Sequence, residues 1–424
     1  MKMKQTLSEE VFKNRRDKIF AMMEERSVLL LFSGEAPRRS GDQDYAYTVD
    51  RNYYYLTGKD VHSTIYMASK GADGKVDEKY FVPRPDPRTE TFMGHMFTAE
   101  EASEYYGAPA AYADTFEAVF DGALSSVHTG RLYADLMYCG LRAADAGWGA
   151  RTADRIRAAF PYLQITDVGA VIGDMRRFKE PCELDMLREA IRITGLGIGS
   201  ILERLAPGVN ERELQARFDY TITVNGASDD AFAPIVAGGM NSTCLHYGVN
   251  DQDLQDGDVL LVDLGAEYGY YNGDISRTFP VNGKFTEEQR YYYDAVLDAQ
   301  REVIKRLKPG MHLTDTTKIA REKLFEYCQK SGIAEKPEDM ETLLPHGVSH
   351  YLGLDTHDSG ERAVLEPGMV ITVEPGIYIK DLRLGIRIED DVVITEDGCE
   401  VLSPQIMKDA DEIEAFMAAR PAVK

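Results

Sequence analysis

The chain has 424 residues, enough for two domains that each bury a core. Lys and Arg total 48 against 71 Asp and Glu, a net charge of -23. That balance excludes the basic face that nucleic acid and anionic membranes require. Five cysteines, Cys139, Cys182, Cys244, Cys328 and Cys399, are scattered without C-x-x-C spacing. They read as reduced thiols of a cytoplasmic protein. The first twenty residues hold basic side chains but no apolar stretch, so they do not read as a secretory signal. No apolar run reaches bilayer-spanning length.

In chain order, residues 8–25 predict a helix with Val11, Phe12, Ile19, Phe20 and Met23 on one face and Ser8 as its cap. Segments 28–32, 65–68 and 80–82 predict buried strands. Between them DRNYYYLTG (residues 50–58) reads as an aromatic-rich loop, its tyrosines suited to core packing. Three prolines in 83–87 predict a rigid exposed loop. Helical stretches at 98–106, 114–124 and 152–160 alternate with strands near 131–136 and 163–165. That alternation predicts an α/β layer. Trp148 falls in AGWGA, which reads as a loop. Residues 173–180 read as a boundary that divides the chain into domains 1–175 and 176–424.

Pro181 predicts the start of a helix, with Leu184, Leu187, Ile191 and Thr194 inward and Glu183, Asp185 and Glu189 in its early turns, where the dipole favours acids. Further helices are expected at 211–224, 286–307 and 314–331. The order helix, helix, strands occurs twice, an internal repeat of α+β architecture. The acidic tail 409–414 reads as a solvated helix face.

The most informative stretch is VLLVDLGAEYGYYNGDISRTF, residues 259–279. An apolar strand runs into Asp263, and Asp274 lies on the return limb. Gly265, Gly269, Gly273 and Asn272 supply turn chemistry, so the two acids are expected to face each other across a hairpin. Such a pair repels unless a cation neutralises it or one member keeps a proton. A second strand-turn-strand unit offers Glu374 and Glu389. Between the two units lies HGVSHYLGLDTHD, which carries His346, His350 and His357. Four carboxylates and an imidazole form a hard-donor set without thiolate, suited to two divalent cations such as Mn, Co, Zn or Mg.

The ordered set Asp263, Asp274, His350, Glu374 and Glu389 resembles the dinuclear metal site of the methionine aminopeptidase and proline peptidase superfamily. The flanking words VAGGMNSTCLHY, DISRTFP, HGVSHYLGLDTHD and GIRIEDDVVIT narrow the resemblance to the aminopeptidase P family. It implies a creatinase-like α/β domain over 1–175 and a pita-bread catalytic domain over 176–424. It also implies a metal-dependent aminopeptidase that releases the residue before an N-terminal Xaa-Pro bond, with two divalent ions, manganese first and cobalt or zinc as alternatives. Those five residues become the metal ligands. Glu374 also serves as proton shuttle, with His246 and His357 as hydrogen-bond donors to the reacting group. His346, Tyr378 and Arg387, with His357, form the proline pocket. Arg387 can also orient a ligand carboxylate, the bland alternative being a surface salt bridge. The partners implied are Xaa-Pro peptides and a second copy of the chain, in a homodimer or homotetramer. Two positions depart from the family pattern: Asn52 stands where an Asp is common, and Phe92 is the nearest match to a Trp.

Three alternatives stay open on the residues alone. A prolidase would cut only Xaa-Pro dipeptides. A metal-free creatinase-type hydrolase or a non-catalytic pita-bread scaffold would ordinarily lack some of the five donors. His357 has a structural alternative of its own, holding its turn through Asp355 or Asp358, and His246 could be a core histidine.

Overall fold

The strand Ser27–Phe32 is buried along its whole length, which demands partners on both edges and cover on both faces. The computed structural model, which describes residues 7–127, 129–136, 148–360 and 364–421, supplies them. Ser27–Phe32 pairs antiparallel with Ile65–Lys70 and parallel with Arg131–Ala134. Val76–Val82, Ala110–Tyr112 and Gln164–Asp167 complete a six-stranded mixed sheet. Phe81, Phe116, Phe120, Leu132 and Ile156 form part of the core against it. Backbone contacts divide the chain into a unit Thr6–Met175 and a unit that takes in Arg176–Lys424.

Several local expectations are corrected. Residues 50–58 are not a loop: Asp50 accepts from the Tyr53 amide and opens a helix, Arg51–Thr57, that buries Tyr53, Tyr54 and Tyr55. Pro87 is the first residue of a helix, Pro87–Met93, capped by Asp86, and Phe92 on it is exposed. Trp148 begins the helix Trp148–Ala159 and packs on Phe32 with ring centroids 5.0 Å apart. Helix Gly169–Arg177 runs into the segment read as a boundary, and the division between the two units still falls there, between Met175 and Arg176. The Ser8 side chain makes no capping bond to its helix Glu9–Met22. Among the described residues Cys182, Cys244, Cys328 and Cys399 are free thiols; Cys139 lies outside them.

In the second unit, helix Pro181–Arg204 has Pro181 at its first turn, and helix Glu211–Val224 follows. Leu187, Ile191 and Thr194 are buried, while Leu184 is only partly so. Glu183 stands in the first turn, as expected from the dipole. It is buried and accepts a 2.9 Å hydrogen bond from the Tyr271 hydroxyl. Strands Ile235–Gly238, Val259–Leu264 and Ile275–Pro280 form an antiparallel sheet. Helices Glu287–Arg306 and Asp315–Ser331 intervene before a second sheet of Val370–Val373, Asp390–Ile394 and Cys399–Val401.

Both sheets use the same device. Each long hairpin is interrupted and its tip pairs separately: Ala266–Tyr268 with Tyr271–Asn272, and Gly376–Ile379 with Leu384–Arg387. The first tip turns through Gly269 and Tyr270, both at positive φ (58° and 71°), as a two-residue turn matched to strand twist requires. Gly265 sits at the first break, where a β-carbon would fall 2.0 Å from the Gly273 carbonyl oxygen. Asp274, Glu374 and Glu389 all lie at these breaks, just outside paired strands.

Candidate metal centre

The breaks deliver the acids to one cavity of about 610 Å³. Asp263 does not lie opposite Asp274, as the simple hairpin predicts; its register partner is Ser276, and Asp274 sits one step beyond the paired strand. Asp274, His350 and Glu389 each offer a ligand atom, and these atoms lie within 4.8 Å of one another. Glu374 Oε1 is 3.6 Å from His350 Nε2, and Asp274 Oδ2 is 3.4 Å from it. The main chain of His350 is stitched to the Val370–Val373 strand by the Thr372 amide donating to the His350 carbonyl at 3.0 Å.

The hydrogen bonds preset the donors. His350 Nδ1 lies 3.0 Å from the Tyr351 carbonyl, so that nitrogen carries the proton and the Nε2 lone pair faces the carboxylates. Arg387 Nη2 donates to Asp263 Oδ2 at 2.7 Å, while Asp263 Oδ1 is buried with no hydrogen-bond partner. Ser276 donates its hydroxyl to Glu389 Oε2 at 2.7 Å and accepts from Arg387 Nε at 2.8 Å. The amide of Asp274 donates to Asp391 Oδ2 at 3.1 Å.

Burial pushes the Asp274 and Glu389 carboxyls well above their ordinary range, with repulsion from neighbouring acids adding to it. Burial also raises Glu374, to about 7, despite the pull of His350 and Arg387. Arg387 is the cation that bonds a carboxylate of this set, Asp263, while Arg277 reaches only the Glu389 carbonyl. A buried oxygen without a partner and carboxyls pushed up by burial and by one another are what a site arranged around added positive charge looks like. The oxygen and imidazole donors fit a divalent cation.

His346 forms one wall. Its Nδ1 donates to the Gly347 carbonyl at 2.8 Å, which leaves Nε2 to accept from the Tyr378 hydroxyl at 2.9 Å. That hydroxyl accepts in turn from Arg387 Nη1 at 2.8 Å. Burial, with Arg387 adding to it, drops the His346 pKa to about 4, consistent with a neutral ring. His246 is exposed rather than in a core, and His357 packs on His350 with ring centroids 4.2 Å apart. Arg387 is 4 % exposed, so it is no surface salt bridge. Of the ten residues singled out from sequence, nine line the cavity, and Tyr378 joins through its bonds to His346 and Arg387. Ser276 and Asp391 were not singled out. Each lies two residues past an acid, in D-I-S and E-D-D, and that spacing was the available signal.

Residues 185–396 match the metallopeptidase family M24, and residues 12–133 match the aminopeptidase P N-terminal domain. The Xaa-Pro aminopeptidase of Escherichia coli is 33% identical, over 97% of this chain and 98% of the relative. The chain belongs to the aminopeptidase P group of metallopeptidase family M24. This M24 chain therefore carries an aminopeptidase P α/β unit ahead of a pita-bread α+β unit, and it is a hydrolase that uses divalent metal. Among other relatives, the mitochondrial intermediate cleaving peptidase 55 of Arabidopsis thaliana is 31% identical, over 96% of this chain and 83% of the relative. A Bacillus anthracis structure assigned as an aminopeptidase P superposes with a TM-score of 0.94 at 38% identity, covering 99% of this chain and all of that one. The Zn-substituted E. coli aminopeptidase P in complex with product gives 0.90 at 31%, covering 99% of this chain and all of that one. Among the described residues, no helix of this M24 chain is long and apolar enough to cross a membrane.

Proposed function

We propose that the protein removes the N-terminal residue from peptides with proline in second position. Asp263, Asp274, His350, Glu374 and Glu389 hold two divalent ions in this reading, manganese first, with cobalt or zinc as alternatives. The observation that carries it is the unpartnered, buried Asp263 Oδ1 beside three carboxyls pushed up by burial and by neighbouring acids, in a chain 33% identical to a Xaa-Pro aminopeptidase. Bound there, divalent ions supply the charge that makes hydroxide available near neutral pH and polarises the scissile carbonyl.

The chain's own residues do the rest. Glu374, which lines the cavity beside His350, can take a proton at its carboxylate and return it to the leaving nitrogen. His357 and His246, on the cavity wall, donate hydrogen bonds to the oxygen where charge develops. His346, Tyr378 and Arg387 are already bonded to one another, so the wall they offer to a proline ring is preformed. Ser276 and Asp391 orient the ligands through the bonds described above. The protein acts as a cytoplasmic homodimer or homotetramer in this reading.

The test is release of the first amino acid from Xaa-Pro-Yaa peptides by protein stripped of metal and then reloaded. Activity that returns only with metal is expected. Hydrolysis confined to Xaa-Pro dipeptides would convert the reading to a prolidase. Cleavage by rigorously stripped protein would overturn it.

A further inference from the structure

Outside the metal centre the second unit buries a separate cluster of charge. Arg176 and Lys179 stand against Asp355 and Asp358, and the side chains of Arg176, Lys179 and Asp358 are each 1% exposed. Arg176 Nη2 donates to Asp355 Oδ2 and to Asp358 Oδ1, both at 2.5 Å. Lys179 Nζ donates to Asp358 Oδ2 at 3.1 Å. Two cations balance two anions, so removing one leaves an uncompensated buried charge.

The two acids flank His357. Their loop is closed by the Asp358 amide donating to the Tyr351 carbonyl at 2.9 Å, and by the Gly353 amide donating to the Asp355 carbonyl at 3.1 Å. Gly353 lies directly over the buried carboxylate: a β-carbon there would come within 2.1 Å of Asp358 Oδ2. The His357 imidazole makes no hydrogen bond to the described residues, and its ring contact is with His350. Its place is therefore set by the loop that carries it. The carboxylates that could have held the ring are spent on Arg176 instead.

We propose that Arg176, seconded by Lys179, is a positioning residue that fixes His357 in the cavity through Asp355 and Asp358. The functional consequence rests on the aminopeptidase reading; the positioning itself does not. If Arg176 acts through His357, its loss matters only while His357 is present.

A double-mutant cycle reads this in the metal-loaded, full-length protein. Arg176→Ala is expected to lower kcat on a Xaa-Pro-Yaa peptide roughly tenfold to hundredfold with metal content unchanged. In a His357→Ala background the same change should cost less than about twofold. Equal losses in both backgrounds would overturn the proposal. Since Arg176→Ala removes a buried charge, Asp355→Asn is run beside it. Asp355 is 32% exposed, so that variant keeps the fold and weakens the same link. A second readout needs no turnover: the His357 imidazole resonance of zinc-loaded Asp355→Asn should shift while that of His346 stays. An unmoved His357 resonance would refute positioning even in an active enzyme. If the wild-type protein cleaves no Xaa-Pro bond, the aminopeptidase reading falls and this resonance still decides the inference.

Discussion

Asp274 has its amide tied to Asp391, and its buried carboxyl is crowded by other acids and lies 3.4 Å from His350 Nε2. Asp274→Ala is expected to lose metal, and elemental analysis that finds two full-occupancy ions in the variant would reject the ligand set. His357→Ala is expected to lower kcat by about 10²-fold, as the loss of one transition-state donor does. Its melting temperature and metal content should stay put, since the ring makes no hydrogen bond to the described residues and only packs on His350. A matching fall in stability and rate would restore the structural reading of that histidine.

Elements place these side chains by way of contacts far apart in sequence. The loop that carries His246 hangs on Glu211, the first residue of its helix. Glu211 Oε1 accepts from the Gly238 amide at 2.8 Å, and Oε2 from the Tyr247 hydroxyl at 2.9 Å and the Gln252 amide at 3.1 Å. The opposite wall closes on the same loop at Gly385, where a β-carbon would meet the Ser242 carbonyl oxygen at 1.9 Å. Backbone cannot yield as a side-chain tip can. Gly385→Ala should therefore cost at least the 1–3 kcal/mol typical of overpacking and should weaken activity, because Leu384–Arg387 delivers Arg387 to Asp263. A variant that melts like the parent would show that the two segments are not in close contact.

For the whole molecule, the metal centre makes stability depend on pH. Asp274, Glu374 and Glu389 have folded pKa values raised above the unfolded ones, so their contribution is complete at low pH and is lost as pH rises through the folded values, near 7 for Glu374. His346 and His357 have lowered values and act oppositely, but only below about pH 6.5, above which both are neutral in either state. Asp358 and Asp390 are held low by Arg and Lys partners and titrate below the whole window. Chelated protein should therefore melt at lower temperature at pH 8 than at pH 6.5, and divalent metal should restore more at pH 8. Asp230, raised to about 7 by burial and by Asp219 and Asp229, contributes with or without metal, so the difference between the two curves is the quantity to read. A metal-free melting temperature that climbs from pH 6.5 to 8 would contradict the electrostatics.

The sequence by itself determined the family, the succession of units and the five proposed ligands in order. Each acid interrupts or ends an apolar strand run, and a charge there is conspicuous because burial without a partner is so costly. Periodicity likewise gave the helices at 211–224 and 314–331 to within a residue. It failed at Asp50 and Pro87, where a short helix starts from a cap that polar or aromatic composition disguises as loop, and it began the 152–160 helix late, at the packed Trp148. Only the tertiary structure decided that the hairpins break where the acids stand, and which groups hold the donors. Arg176 meets Asp358 across 182 positions, and Ser276 meets Glu389 across 113. No local pattern encodes such a partner, because the chain between them, folded as a whole, sets what a buried charge will touch.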